Sequence, residues 1–276
     1  MKTEIITDWQ QLDALEPEWN QLLQASKADT IFLTWEWIQA WRSVTGEDKK
    51  LFVISVKDSN GKLVGIAPYY TYRILLFHKV PYKALRFLAD YSTGFEYPDW
   101  FVSPDCEQQA LQAIANCLQS ERKQWDLIWM PRMSGWSGAL ERITTALKNS
   151  GLLFNHRTSP FSCFDLPDSL KTFEEGFSSS RRQQLRRNRR KLTSKSEVEI
   201  TFCETKEELP EYTDALFDLH HRRRMLLDDP GLFLRRPAEA EFYRTFLPKA
   251  LELGWLRFAA LRHAGKIEAI QIGYIY

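Results

Sequence analysis

The stretch LFVISVKDSNGKLVGIAPYYTY, residues 51–72, has a counterpart in LRFAALRHAGKIEAIQIGYIY, residues 256–276. Each is an apolar strand, a turn and an apolar return strand, with Gly61-Lys62 aligned on Gly265-Lys266 and Tyr72 on Tyr276. Asp58-Ser59-Asn60-Gly61 predicts an Asn-Gly hairpin turn whose two central residues take positive φ. The segments before each hairpin match as well. Residues 4–7 form a strand, Asp8 caps a helix through Leu23, and Thr34 caps a second helix, WEWIQAWRSV, closed by Gly46. In the later copy VEITFC, residues 198–203, is the strand. Residues 208–220 are its first helix, with Leu209, Tyr212, Leu216 and Leu219 inward, broken at Asp228-Asp229-Pro230-Gly231; residues 238–253 are the second, closed by Gly254. Two copies of one domain is the economical reading.

The first copy continues with a strand at 84–89, a polar aromatic loop at 90–100, the short strand DWFV and a helix from Asp105 through Arg122. A strand at 126–130, a helix at 137–149 closed by Gly151, and a strand pair at 152–156 and 161–166 complete it. Antiparallel hairpins with one parallel crossover make an α+β domain around a single mixed sheet. Domains are expected at 1–168 and 197–276, with residues 169–196 as a basic helical linker. That linker, FEEGFSSSRRQQLRRNRRKL at its centre, carries seven Arg or Lys between Arg181 and Leu192 in a chain of net charge only +1. Serines 178–180 offer an N-cap. Phe177, Leu185 and Leu192 make a narrow apolar stripe, which leaves most arginines in solvent. Arg182, Arg186, Arg187 and Arg190 therefore read either as a solvated joining helix or as a surface for phosphate-rich substrate, RNA or anionic lipid.

Composition is that of an ordinary globular chain: 276 residues, 44% hydrophobic and 26% charged. No apolar run approaches the ~20 residues of a spanning helix, and no apolar leader opens the sequence, so a cytoplasmic protein is expected. Cys106, Cys117, Cys163 and Cys203 have no metal or redox spacing and read as buried free thiols. The absence of P-loop, GxGxxG, GxSxG and zinc spacings argues against NTPases, dinucleotide oxidoreductases, elbow-type hydrolases and zinc enzymes.

The element order, with FLTWEWIQAW, DSNGKLVGIAPYY, SSSRRQQLRRNRRKL and LHHRRR, resembles tandem GNAT acyltransferases of the CelD/BcsL-like group of cellulose and exopolysaccharide biosynthesis, themselves similar in architecture to Fem-type aminoacyl transferases. The resemblance covers the whole chain. It implies a tandem GNAT-like fold with two mixed-sheet domains, acetyl-CoA or another acyl-CoA as co-substrate, no metal, and an amine or hydroxyl acceptor on a sugar or cell-envelope precursor. It carries over no catalytic residue. Two departures stand out. The first copy's FVSPDCEQQAL has no glycine at the expected pyrophosphate turn; Pro104 removes a donor, and Asp105 and Glu107 add negative charge. The second copy reaches Tyr276 before the next strand and its loop, so it is expected to be incomplete, to bind acyl-CoA weakly, and to expose an edge open to self-association or aggregation.

Candidate acceptor contacts are Asp90, Tyr91 and Asp99, with Glu96 and Tyr97 in the same loop, where a buried carboxylate can act as general base; a plain polar surface loop is the alternative. The resemblance adds His220 and Arg223, whose positions also suit a helix C-terminus without any further role. The turn MPRMSGWSG, residues 130–138, offers Arg132 to an anion or a sugar, although turn chemistry alone explains its glycines. Trp37 and Trp41 share a helical face, which favours core packing over ligand stacking. In the last strand, Glu268, Ile270, Ile272 and Tyr274 are expected on one face and Ile267, Ala269, Gln271, Gly273 and Ile275 on the other, both covered. An RNA- or lipid-binding module and an inactive fragment are the alternatives to an acyltransferase.

Overall fold

Strand-forming periodicity places Lys2–Ile6 (β1), Lys50–Lys57 (β2), Leu63–Leu76 (β3) and Val80–Phe87 (β4) side by side. The computed structural model describes residues 1–76, 80–90, 93–194 and 197–276. Each of these strands is antiparallel to the next, and Leu127–Trp129 (β6) then joins β4 in parallel, giving the order β1-β2-β3-β4-β6. Phe101–Val102 (β5) pairs with β3. This is the expected mixed sheet. β2 is buried without interruption from Leu51 to Val56, which is why it reads LFVISV and does not alternate.

The expected helix from Asp8 to Leu23 is two helices. Asp8 caps Trp9–Asp13 (α1) by accepting the Gln11 N–H, and a new helix, Glu16–Ala25 (α2), starts with Pro17 in its first turn. Proline lacks the N–H that a continuing helix needs and suits a first turn. Trp35–Trp41 (α3) is capped by Thr34, whose hydroxyl accepts the Trp37 N–H, and Arg42–Gly46 widens into a π-helical turn. Asp105 caps nothing: Pro104–Cys106 is a 3-10 turn, and Glu107–Ser120 (α4) follows without a side-chain cap. Ala139–Asn149 (α5) closes at Gly151, whose φ is 73°.

The strand pair expected at 152–156 and 161–166 does not form; these residues are irregular, with Leu153, Phe161, Phe164 and Leu166 exposed. Their apolar pattern alone does not supply a partner strand. Leu170–Glu175 (α6) and Ser179–Thr193 (α7) follow, α7 capped by Ser178 through the Arg181 N–H. No residue of α7 is buried; Arg186, Arg187 and Arg190 are exposed and Arg182 is half-buried.

Val198–Phe202 (β7), Leu256–His263 (β8) and Lys266–Tyr274 (β9) form a second sheet, crossed between β7 and β8 by Leu209–Met225 (α8), Leu232–Arg235 (α9) and Pro237–Glu252 (α10). Among the described residues this sheet is antiparallel throughout, not mixed as expected. Its sequence of strand, helices and hairpin repeats that of β1 through β3, with the same pairing directions. In α8, Leu209 and Tyr212 are buried while Leu216 and Leu219 are half-buried.

The first hairpin turn differs from expectation. Gly61 has φ 83°, but Asn60 does not share the positive φ; Asp58 Oδ1 accepts the N–H groups of Asn60 and Lys62 and closes a wider turn. In the β8–β9 turn both central residues, Ala264 and Gly265, have positive φ, 48° and 76°. In β9 the register shifts opposite Leu261/Arg262, so Ile267 joins Ile270, Ile272 and Tyr274 against the core, while Glu268 and Ala269 are exposed. The other face is not covered: Gln271 and Ile275 are exposed.

One apolar cluster runs through both halves. Trp37 of α3 meets Phe242 and Phe246 of α10 and Tyr274 of β9 at ring-centroid distances of 4.8, 4.7 and 6.0 Å. Cys117 and Cys203 are buried, but Cys106 is half-buried and Cys163 exposed, so the expectation of buried thiols holds for two of the four. Among the described residues no helix is long and apolar enough to cross a membrane.

Candidate functional site

The described part of the loop, residues 89–90 and 93–100, is fixed by its apolar residues first. Phe95 is buried, 6.3 Å from Phe87 and 6.1 Å from Phe32 by ring centroids, and the indole N–H of Trp37 reaches the Thr93 hydroxyl. Ala89 and Tyr97 take left-handed φ values of 62° and 58°, bends that separate the loop's two aspartates.

Asp90 and Asp99 therefore do not share a site. Asp90 is buried against the Arg86 Nε at 2.7 Å and accepts the Tyr70 hydroxyl at 3.1 Å. Burial pushes its carboxyl up while Arg86 pulls against that. Asp90 is thus held in a buried, hydrogen-bonded ion pair. Tyr91 lies outside the described residues.

Asp99 faces a cleft of about 330 Å³, lined also by Lys27, Asp29, Thr30, Tyr97, Ser134, Trp136 and Ser137. Its side chain is 3% exposed, and Arg142 Nη2 lies 2.7 Å from Oδ2 while the Trp100 N–H donates to Oδ1. Burial pushes its carboxyl up to about 6, outweighing the Arg142 guanidinium and the Trp100 N–H, which favour the anion. Arg142 bridges onward to Glu107 at 3.0 Å, and Glu107 to Lys27 at 2.7 Å. The rings of Tyr97 and Trp136 meet edge to face at 4.7 Å, and Trp136 is 59% exposed. The Thr30 hydroxyl has no protein partner among the described residues. An aromatic wall beside hydroxyls and carboxylates suits a polyhydroxylated ligand: the rings cover an apolar sugar face, and the polar groups meet its hydroxyls. A carboxyl near pH 6 can take a proton from an attacking hydroxyl or ammonium group at neutral pH.

Second-half residues close the rear of the loop. Glu239, in the first turn of α10, is buried; a Cβ at Gly94 would lie 3.9 Å from its Oε1 and 4.0 Å from the Tyr243 hydroxyl. Burial raises the Glu239 carboxyl, opposed by Arg236 and Arg132. At the cleft itself, Tyr276 donates to Asp29 at 2.8 Å.

The remaining expected residues sit elsewhere. Arg132 Nη2 donates to the Phe95 carbonyl at 2.6 Å and Nη1 faces Glu96 at 3.6 Å, while its side chain is 47% exposed. His220 Nε2 accepts the Leu232 N–H at 3.1 Å and its ring packs on Phe233, which fixes the α8–α9 corner; Arg223 is exposed on α8. Arg182 donates to the Glu175 carbonyl at 3.1 Å, while Arg186, Arg187 and Arg190 have no acidic partner among the described residues. The cleft depends on residues that sequence reasoning passed over, Lys27, Thr30 and Arg142, and on Glu107, which it read only as negative charge at the β5–α4 turn. Arg142 is 43 residues from Asp99, and its only sequence signal is a charge beside the buried face of α5, formed by Ala139, Ile143 and Ala146.

Pyrophosphate does not fit the junction of β5 and α4. Pro104 offers no N–H, Asp105 is exposed there, and Glu107 is the anion already paired with Lys27 and Arg142. Among the described residues no group of side chains could hold a metal ion.

Residues 179–276, from the start of α7 to the end of the hairpin, match the family model of the acetyltransferase (GNAT) domain. The match supports the GNAT superfamily, whose domains use acyl-CoA, for that part of the chain. No curated protein matches the sequence.

Proposed function

We propose that the chain is a GNAT-type acyltransferase that moves an acyl group, acetyl in the simplest case, from acyl-CoA to an amine or hydroxyl of a sugar or cell-envelope precursor in the cytoplasm. The observation that carries this reading is the match of residues 179–276 to the acetyltransferase (GNAT) domain. The repeat of β1-β2-β3 connectivity in β7-β8-β9 supports a tandem arrangement of the CelD/BcsL-like and Fem-like kind. The cleft of the first half supports a sugar-like acceptor, with Tyr97 and Trp136 as the platform and Asp99 as the proton acceptor held by Arg142.

The experiment is mass spectrometry of the acceptor after incubation of the protein with acetyl-CoA and a panel of amino sugars and neutral sugars. Acylation of at least one member is expected. A folded protein that acylates none of them, while acylating peptide amines, would replace the sugar reading; acylation of nothing at all would remove the acyltransferase reading.

A further inference from the structure

Between α5 and β7 the chain leaves apolar side chains in water that the rest of the fold would bury. Phe161, Phe164, Leu166 and Leu170 are 60%, 69%, 81% and 62% exposed. Phe164 lies 5.9 Å from Phe173 of α6, and Phe173 lies 4.9 Å from Phe177, so these rings form a row that ends at the N-terminus of α7. α6 is tied to α7 by the Glu174–Arg189 ion pair at 3.2 Å and by the Arg182 guanidinium on the Glu175 carbonyl. The apolar row and the cationic helix are thus one surface. α7 carries no acidic residue, and Arg181, Arg186, Arg187, Arg190 and Lys191 are exposed on it.

We propose that this surface, α6 and α7 with residues 161–170, docks on an anionic lipid bilayer. Clustered cations are drawn to an anionic leaflet, and leucine and phenylalanine beside them gain by entering the boundary between headgroups and acyl chains. Charge selects this occupant over a second copy of the chain, because two α7 helices would bring like charges together. Side-chain type selects it over nucleic acid: α7 has no aromatic residue for base stacking, and the apolar row includes leucines, which do not stack. The row begins beside the candidate cleft, since Phe161 lies 6.1 Å from Tyr97 by ring centroids. A docked chain presents that cleft next to the lipid surface. The inference does not depend on the chemistry proposed for the cleft.

The test is co-sedimentation of the full chain with vesicles of phosphatidylcholine alone or mixed with phosphatidylserine, across a salt series. Binding is expected only to the anionic vesicles, falling about tenfold or more between low and high salt as screening shortens the field. The charge reversal Arg186→Glu/Arg187→Glu/Arg190→Glu should abolish it. Phe164→Ala with Leu166→Ala should weaken it about tenfold while leaving its salt dependence, and all of these positions are exposed, so circular dichroism should show an intact fold. Equal binding to neutral vesicles, or full binding by the charge-reversed protein, would overturn the proposal. So would retention on RNA without vesicle binding, or a dimer that dissociates on the Phe164→Ala and Leu166→Ala changes without vesicle binding.

Discussion

At Asp99 two opposing effects act on one carboxyl, and burial prevails over Arg142, leaving it at about 6. An aspartate that titrates near 4 in the unfolded chain binds its proton more tightly in this fold, so its contribution to stability is full below about pH 4 and is lost as the pH rises through about 6. Arg142→Gln removes the cation that favours the anion and should move the Asp99 titration to still higher pH, read by carbon NMR of the labelled carboxyl. An Asp99 that titrates below 4 in the wild-type protein, or that does not move in Arg142→Gln, would contradict this assignment. The loop's carboxylates were legible in the sequence as polar residues between strands. Their division was not, because the left-handed bends at Ala89 and Tyr97 and the partners Arg86 and Arg142 arise from tertiary packing.

Among the elements, the hairpins were the clearest sequence signal and their turns the least predictable. The Asn-Gly turn was overridden by Asp58, whose side chain accepts two backbone N–H groups, whereas an alanine occupies a left-handed position in the β8–β9 turn. Ala264→Asn replaces a residue that resists φ 48° with one that tolerates it and should stabilise the protein by about 1 kcal/mol, measured by urea unfolding. An unchanged or lower midpoint would show that this turn does not carry the strain its φ implies. The segment 152–168 was misread because apolar residues at strand spacing do not by themselves specify a partner. The shift at Glu268 changed which β9 residues face the core, and one extra residue in a strand leaves no signature in composition.

For the whole molecule, the seam between halves is built on Trp37, which the sequence placed correctly in a core but not in a core shared with α10 and β9. Trp37 is 2% exposed, so Trp37→Ala should cost about 3–5 kcal/mol and turn a single thermal transition into two as the halves uncouple. One unchanged transition would mean that the seam is not where the halves cooperate. The seam also holds the loop that leads into the cleft, through Gly94, Glu239 and Tyr243, so the candidate acceptor site depends on both halves.

The most direct measurement is acceptor-dependent release of free CoA thiol from acetyl-CoA, followed from pH 5 to 8 for the wild-type protein and for Asp99→Asn. With, as acceptor, a free sugar that becomes acylated in the panel, the wild type should show a rate that rises through about pH 6 and a dependence on acceptor, and Asp99→Asn should lose both the rise and most of the rate. The same rate and the same pH profile in the two proteins would contradict the assignment of the Asp99 cleft as the acceptor site.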